Sequence, residues 1–249
     1  MTSHLKAMIT TLTLIISLSS AQTPDFEAIL AKIDQQTTFS TDLTATMQLE
    51  SQDPKEGTEV QKVQIFRQDA TEKFLLLIQE PITQLGQGYL NIEDGLWFYD
   101  PESRKFSYTS LSEAFSGSDA RNSDFGASTL AKDYKVIGSN EGQLGNFEVW
   151  ILELEAKSNE VTYPFKTIYV TKDSTLLLKS EDYSLTKRLL RTGYFTSYTK
   201  AGESFIADKV MFVDALVENK STRFSLANIS TASIPDNIFT KAYVERVNR

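Results

Sequence analysis

From residue 43 onward one pattern keeps returning: apolar residues at alternate positions. Leu43, Ala45, Met47 and Leu49 fall on one side of a strand with polar residues between them, and 60–67 repeats the pattern. Short segments follow at 88–92, 96–99 and 105–109, divided by the turn sequences Glu93-Asp94-Gly95 and Asp100-Pro101-Glu102-Ser103. Further strand-like runs lie at 134–137, 147–154, 165–171, 175–183, 189–198, 205–217 and 221–229. Period-two runs of this number and length favour one continuous antiparallel sheet. No linker and no repeat signature divides the chain, so 22–249 reads as a single, mainly β domain.

One strand breaks the alternation. Phe74-Leu75-Leu76-Leu77-Ile78 is apolar throughout. Phe74, Leu76 and Ile78 point one way, and Leu75 and Leu77 the other. Both faces of this strand must be covered, either by a helix on one and a cavity on the other or by ordinary packing on both sides.

Three segments are read as helical or irregular. Thr23-Pro24-Asp25 has the form of an N-cap, a proline at the first helical position and an acid in the first turn. Phe26, Ile29, Leu30 and Ile33 then share one face of a helix ending near Gln36. Residues 111–133 are rich in Ser, Asp and Gly, with a short helix expected near 127–132. Ile234-Pro235-Asp236 starts a last short helix whose apolar face is Ile238, Phe239, Ala242 and Tyr243.

Composition narrows the chemistry. The chain has no cysteine and one histidine, His4. Lys6 followed by an uncharged run from Ala7 and by Ser19-Ser20-Ala21 has the layout of a secretory signal peptide cut after Ala21. Cleavage removes His4, one lysine and no acid, so the formal charge moves from −8 to −9. The remaining 22–249 offers neither thiol nor imidazole, which excludes Cys-His and Ser-His-Asp catalysis and the usual zinc sites. No P-loop, GxSxG or GxGxxG is present. Neither an enzyme nor a cofactor or metal is expected, although the acids from Asp119 to Asp124 are a weak candidate for calcium. The acidic balance speaks against nucleic acid. The densest basic cluster, Lys187, Arg188 and Arg191, is either a contact for an anionic membrane or, the preferred reading, a solvated strand face.

The aromatic residues carry a resemblance. Gly88-Tyr89-Leu90-Asn91-Ile92 precedes Trp97-x-Tyr99-x-Pro101, then Arg104, and Asn122-Ser123-Asp124-Phe125 with Leu130 lies downstream. In these residues, and in the order of elements from about Phe39 to Tyr243, the chain resembles the outer-membrane lipoprotein-sorting (LolA-like) periplasmic carriers. The resemblance implies an incomplete β-barrel with a few helices covering an apolar cavity. It implies a soluble, monomeric periplasmic carrier of lipid or lipoprotein acyl chains, served by inner- and outer-membrane transport proteins. The same fold could instead report lipid or envelope state to a partner. The family's carriers hold a helical lid with an arginine on an early strand, and Arg67 is the only arginine in that region. The family loop usually begins with glycine, where this chain has Asn122. Resemblance and pattern together nominate Phe74, Leu76, Ile78, Trp97, Tyr99, Phe106 and Phe125 as lipid-binding, with Trp97, Tyr99 and Phe125 gathered near the cavity mouth.

Overall fold

The computed structural model describes residues 24–93 and 95–247. The expected signal peptide and the Thr23 cap lie outside the described residues. Thirteen strands form one antiparallel sheet: β1 (Leu43–Asp53), β2 (Gly57–Gln68), β3 (Lys73–Glu80), β4 (Gly88–Ile92), β5 (Gly95–Asp100), β6 (Lys105–Thr109), β7 (Tyr134–Leu144), β8 (Phe147–Ala156), β9 (Phe165–Thr171), β10 (Leu177–Tyr183), β11 (Leu189–Ala201), β12 (Ser204–Asp214) and β13 (Ser221–Ser230). Their order is β6-β5-β4-β3-β2-β1-β13-β12-β11-β10-β9-β8-β7. Two meanders, β1 to β6 and β7 to β13, are thus joined where β1 pairs with β13. The sheet curls but does not close, leaving β6 and β7 as edges. Register shifts in β7, β11 and β13 supply local bends along the longer strands.

Each strand lies where the alternation places it, with boundaries that differ for physical reasons. β7 runs to Leu144, well past the expected 137, although Ser139, Asn140 and Glu141 carry no apolar pattern. Its pairing with β8, from Tyr134↔Ala156 to Leu144↔Phe147, imposes the extended form. β12 stops at Asp214 instead of 217, because the Asp214 carboxylate accepts the backbone N–H groups of Leu216 (2.6 Å) and Val217 (2.9 Å) and turns the chain.

The first helix, α1 (Phe26–Thr37), is capped by Asp25, whose Oδ1 accepts the Ala28 N–H at 3.1 Å. Its buried residues Leu30 and Ile33 pack on Leu152, Leu154, Ile168 and Val170 from β8 and β9. A second helix, α2 (Leu130–Asp133), ends the segment that carries the chain between the two open edges. That segment crosses the concave face, and Phe115, Ala120 and Phe125 sink into the main core beside Met47, Leu76 and Phe212.

The convex face of the β2–β6 half is covered separately. A 3-10 turn at Asp236–Ile238 and helix α3 (Lys241–Val247) bring Ile234, Phe239 and Val244 onto Leu75, Leu90 and Tyr99. Val244, not Ala242, is the buried helical residue; Ala242 faces solvent. Gly88 permits this close approach: a Cβ there would lie 3.2 Å from both Leu77 Cδ2 and Val244 Cγ1. The strand that is apolar on both sides is therefore explained, with Phe74, Leu76 and Ile78 on the concave face and Leu75 and Leu77 under the C-terminal segment.

Candidate functional site

Between the concave face and the lid formed by α1 and the crossing segment lies a cavity of about 820 Å³. Leu43, Ile65, Phe74, Val210 and Phe224 line it from the sheet, and Ile33, Phe125 and Leu130 from the lid. Polar residues border it at both rims: exposed Lys132 and Glu72 approach to 3.6 Å beside Lys73 and Asn91, and Ser158, Glu160 and Thr162 lie at the other end. The size is that of a small-molecule site, and an apolar wall with polar groups at its border suits an amphiphile.

Three polar devices hold the lid. The first is Asp34 on α1. Its carboxylate accepts the Ser128 hydroxyl (2.5 Å) and the backbone N–H groups of Leu130 (2.9 Å) and Ala131 (2.7 Å). One side chain thereby caps α2 and ties it to α1. The second is Arg67, which donates to both carboxylate oxygens of Asp69, at 3.0 and 2.8 Å, while Asp69 accepts the Phe39 N–H at 2.9 Å. The guanidinium lies 5.6 Å from the Phe39 ring. The early-strand arginine thus holds the chain just beyond α1, through a carboxylate.

The third device is centred on Arg191, only 4% exposed. Its guanidinium donates to Asp182 (2.8 Å), to both oxygens of Asp124 (2.6 and 3.2 Å) and to the Asp119 carbonyl (3.0 Å). Its centre lies 4.0 Å from the Phe212 ring and 5.0 Å from Tyr163. Asp182 is fully buried and also paired with Lys166. Burial pushes the Asp182 carboxyl up, but the adjacent Lys166 and Arg191 outweigh it and hold the group below its ordinary value. Burial raises Asp119, whose carboxylate accepts the Thr222 hydroxyl at 3.1 Å. The acids from Asp119 to Asp124 that suggested calcium therefore already serve as anchors for the crossing segment. Arg191 is also a correction: it is no part of a solvated basic face, whereas Lys187 and Arg188 are exposed. The signal was present in the sequence, since a hairpin folded about 184–188 sets Arg191 opposite Asp182.

The nominated lipid-binding residues separate into three groups. Phe74 and Phe125 line the cavity. Leu76 and Ile78 share the concave face but are packed into dry core with Tyr89 and Phe115. Trp97, Tyr99 and Phe106 lie on the convex face, away from the cavity. Cross-strand pairing decides this: Leu75↔Leu90↔Trp97 forms one row and Leu76↔Tyr89↔Phe98 the other. The Tyr99 and Phe106 rings meet at a tilt, 4.8 Å between centroids, and Lys241 Nζ sits 3.2 Å from the centre of the Trp97 ring. The expected grouping of Trp97 and Tyr99 with Phe125 does not form; Phe125 contacts Phe115 (4.9 Å) and Phe224 (5.9 Å) instead. Sequence reasoning missed the contribution of the later strands, including Phe195, Val210, Phe212 and Phe224.

The fold has close relatives among solved structures. A LolA superfamily protein from Nitrosomonas europaea superposes with a TM-score of 0.75 at 22% identity, over 87% of this chain and 98% of its own. A domain provisionally described as an outer membrane lipoprotein-sorting protein, from Vibrio parahaemolyticus, gives 0.79 at 19% identity, over 88% and 98%. A DUF1329 family protein from Desulfovibrio piger gives 0.77 at 19%, over 88% and 97%. No curated protein matches the sequence. A family model described only as an uncharacterized protein matches residues 70–246. The chain belongs to that family, and its fold is that of the LolA superfamily.

Proposed function

We propose that the protein is a periplasmic carrier, exported by cleavage after Ala21, whose single domain holds lipid or lipoprotein acyl chains in the cavity under α1 and the crossing segment. The observation that carries this reading is the cavity itself, about 820 Å³ with an apolar wall and a polar border. Burial of hydrocarbon contributes about 0.8 kcal/mol per methylene, so a dozen buried methylenes supply about 10 kcal/mol without any catalytic group. The resemblance to outer-membrane lipoprotein sorting supports the same reading, as does the fold shared with the Vibrio domain of that description.

The test is to purify the exported protein without detergent, record its native mass and extract it for lipid. A bound amphiphile at one per protein is expected, either a free lipid or an acylated peptide. A protein that emerges empty and takes up neither added phospholipid nor a synthetic acylated peptide refutes the proposal. Sequencing of the exported form should begin at Gln22.

A further inference from the structure

Strand direction divides the turns of the sheet between two rims. The turns at 54–56, 81–87, 184–188 and 215–220 follow β1, β3, β10 and β12, which run parallel to one another, so they share a rim, together with 101–104 after β5 and 157–164 after β8. Those at 145–146, 172–176 and 202–203 lie on the opposite rim. Successive turns on one rim are two strands, about 10 Å, apart. In the order 81–87, 54–56, 215–220 and 184–188 the four tips therefore span roughly 30 Å.

The first rim carries exposed aliphatic side chains at its tips. Ile82 is 80% exposed and Leu185 78%, with Leu85, Leu216 and Val217 also exposed. The opposite tips are small or polar, Gly145-Asn146, Asp173-Ser174 and Gly202-Glu203, although Phe147 is exposed beside the first of them. Three of these four turns carry the apolar tips, and the four together hold Lys55, Lys187, Arg188 and Lys220 against Glu56 and Glu218. Lys220 is engaged by Asp53 at 3.4 Å. The positive excess therefore concentrates at 184–188, where exposed Lys187 and Arg188 follow Leu185 with no acid in the turn. This stands out on a chain of formal net charge −8.

We propose that this rim docks the protein on an anionic lipid bilayer. The apolar side chains stand on separate turns with Thr83, Gln84 and Thr186 among them, so they form no continuous face for a rigid partner. A fluid interface accepts each tip independently, and Lys187 and Arg188 are placed to meet acidic headgroups as Leu185 enters. The inference is independent of what the cavity carries.

The absence of native cysteine permits a site-specific test in the whole chain. Ile82→Cys, Leu185→Cys and Leu216→Cys on the docking rim, and Asn146→Cys on the other, each accept one environment-sensitive fluorophore. Vesicles of phosphatidylglycerol and phosphatidylethanolamine should brighten and blue-shift the three rim probes several-fold, while the probe at 146 stays aqueous. Vesicles of phosphatidylcholine should give little response. Lys187→Glu with Arg188→Glu should raise the lipid concentration at half-saturation at least tenfold with an unchanged melting temperature, and about 0.5 M salt should act similarly. Three silent rim probes would overturn the proposal. So would an equal response at 146, which marks unspecific adsorption or capture through the N-terminal segment. A rim signal that grows with protein concentration without vesicles would assign the rim to a second copy instead.

Discussion

Replacing Arg191 by methionine removes the guanidinium from the most heavily buried polar centre while keeping an unbranched apolar stem over Phe212. Asp182, fully buried, is left with Lys166 as its single ionic partner, and Asp124 and the Asp119 carbonyl lose their donor. Breaking a buried pair by removing one partner costs about 3–5 kcal/mol, chiefly because a buried charge is stranded. Lys166 remains beside Asp182, so about 3 kcal/mol is expected for Arg191→Met. Adding Asp182→Asn removes the fully buried charge and leaves Lys166, whose side chain is 15% exposed and can turn to water, so about 1–2 kcal/mol should be recovered, since the two sites are in contact and cannot be additive. Urea unfolding followed by fluorescence reads both values. Hydrogen exchange should show the amides of 119–124 opening well before those of β1 and β13. A cost below about 1 kcal/mol, or no recovery in the double variant, would show that Arg191 does not fasten the crossing segment.

Acidic substitutions along β3 should separate its positions: Leu76→Asp places a charge in dry core and should cost more than about 4 kcal/mol, whereas Phe74→Asp at the cavity wall should stay folded and lose bound lipid. Melting temperature and extracted lipid read the pair, and equal unfolding of both would remove Phe74 from the site. Asp34→Ala deletes three hydrogen bonds, one to Ser128 and two to α2, and should cost about 2–3 kcal/mol, with faster hydrogen exchange at Leu130 and Ala131. Because Lys166 and Arg191 hold the Asp182 pKa below the ordinary 3.8, its contribution to stability is present above about pH 4 and is lost as pH falls from there toward the lowered value. Asp119, raised by burial, has the opposite sign: its cost disappears as pH falls toward 3.8. Stability measured from pH 5 to 2 should fall more steeply for the wild type than for Asp182→Asn.

Much of the architecture was legible because alternation is a direct record of a sheet with a wet and a dry side. Leu43, Ala45, Met47 and Leu49 are all buried on one face, as their spacing demands. The apolar run of β3 also declared that both its faces are covered. It could not declare the sign of the faces, which depends on where 110–133 and the C-terminal helix pack, and that is set by contacts distant in sequence. For the same reason the hairpin of Trp97 and Tyr99 was recognisable while its face was not. A single pairing step places Trp97 in the row of Leu75 rather than that of Leu76. The polar anchors were hardest to see. Arg67 and Asp69 are two positions apart and local, but Arg191 meets Asp124 across 67 residues, so its role exists only once the sheet has curled.

The central claim is that acyl chains enter the cavity, and brominated lipid tests it most directly. Phe74→Trp in a Trp97→Phe, Trp150→Phe background puts the only tryptophan on the cavity wall, while Trp150→Phe alone leaves only Trp97, on the convex face. A fatty acid brominated along its chain should quench the tryptophan at position 74 saturably, at one per protein, and leave Trp97 emission unchanged. Equal quenching of both, or quenching of Trp97 alone, would place the lipid outside the cavity and contradict the account.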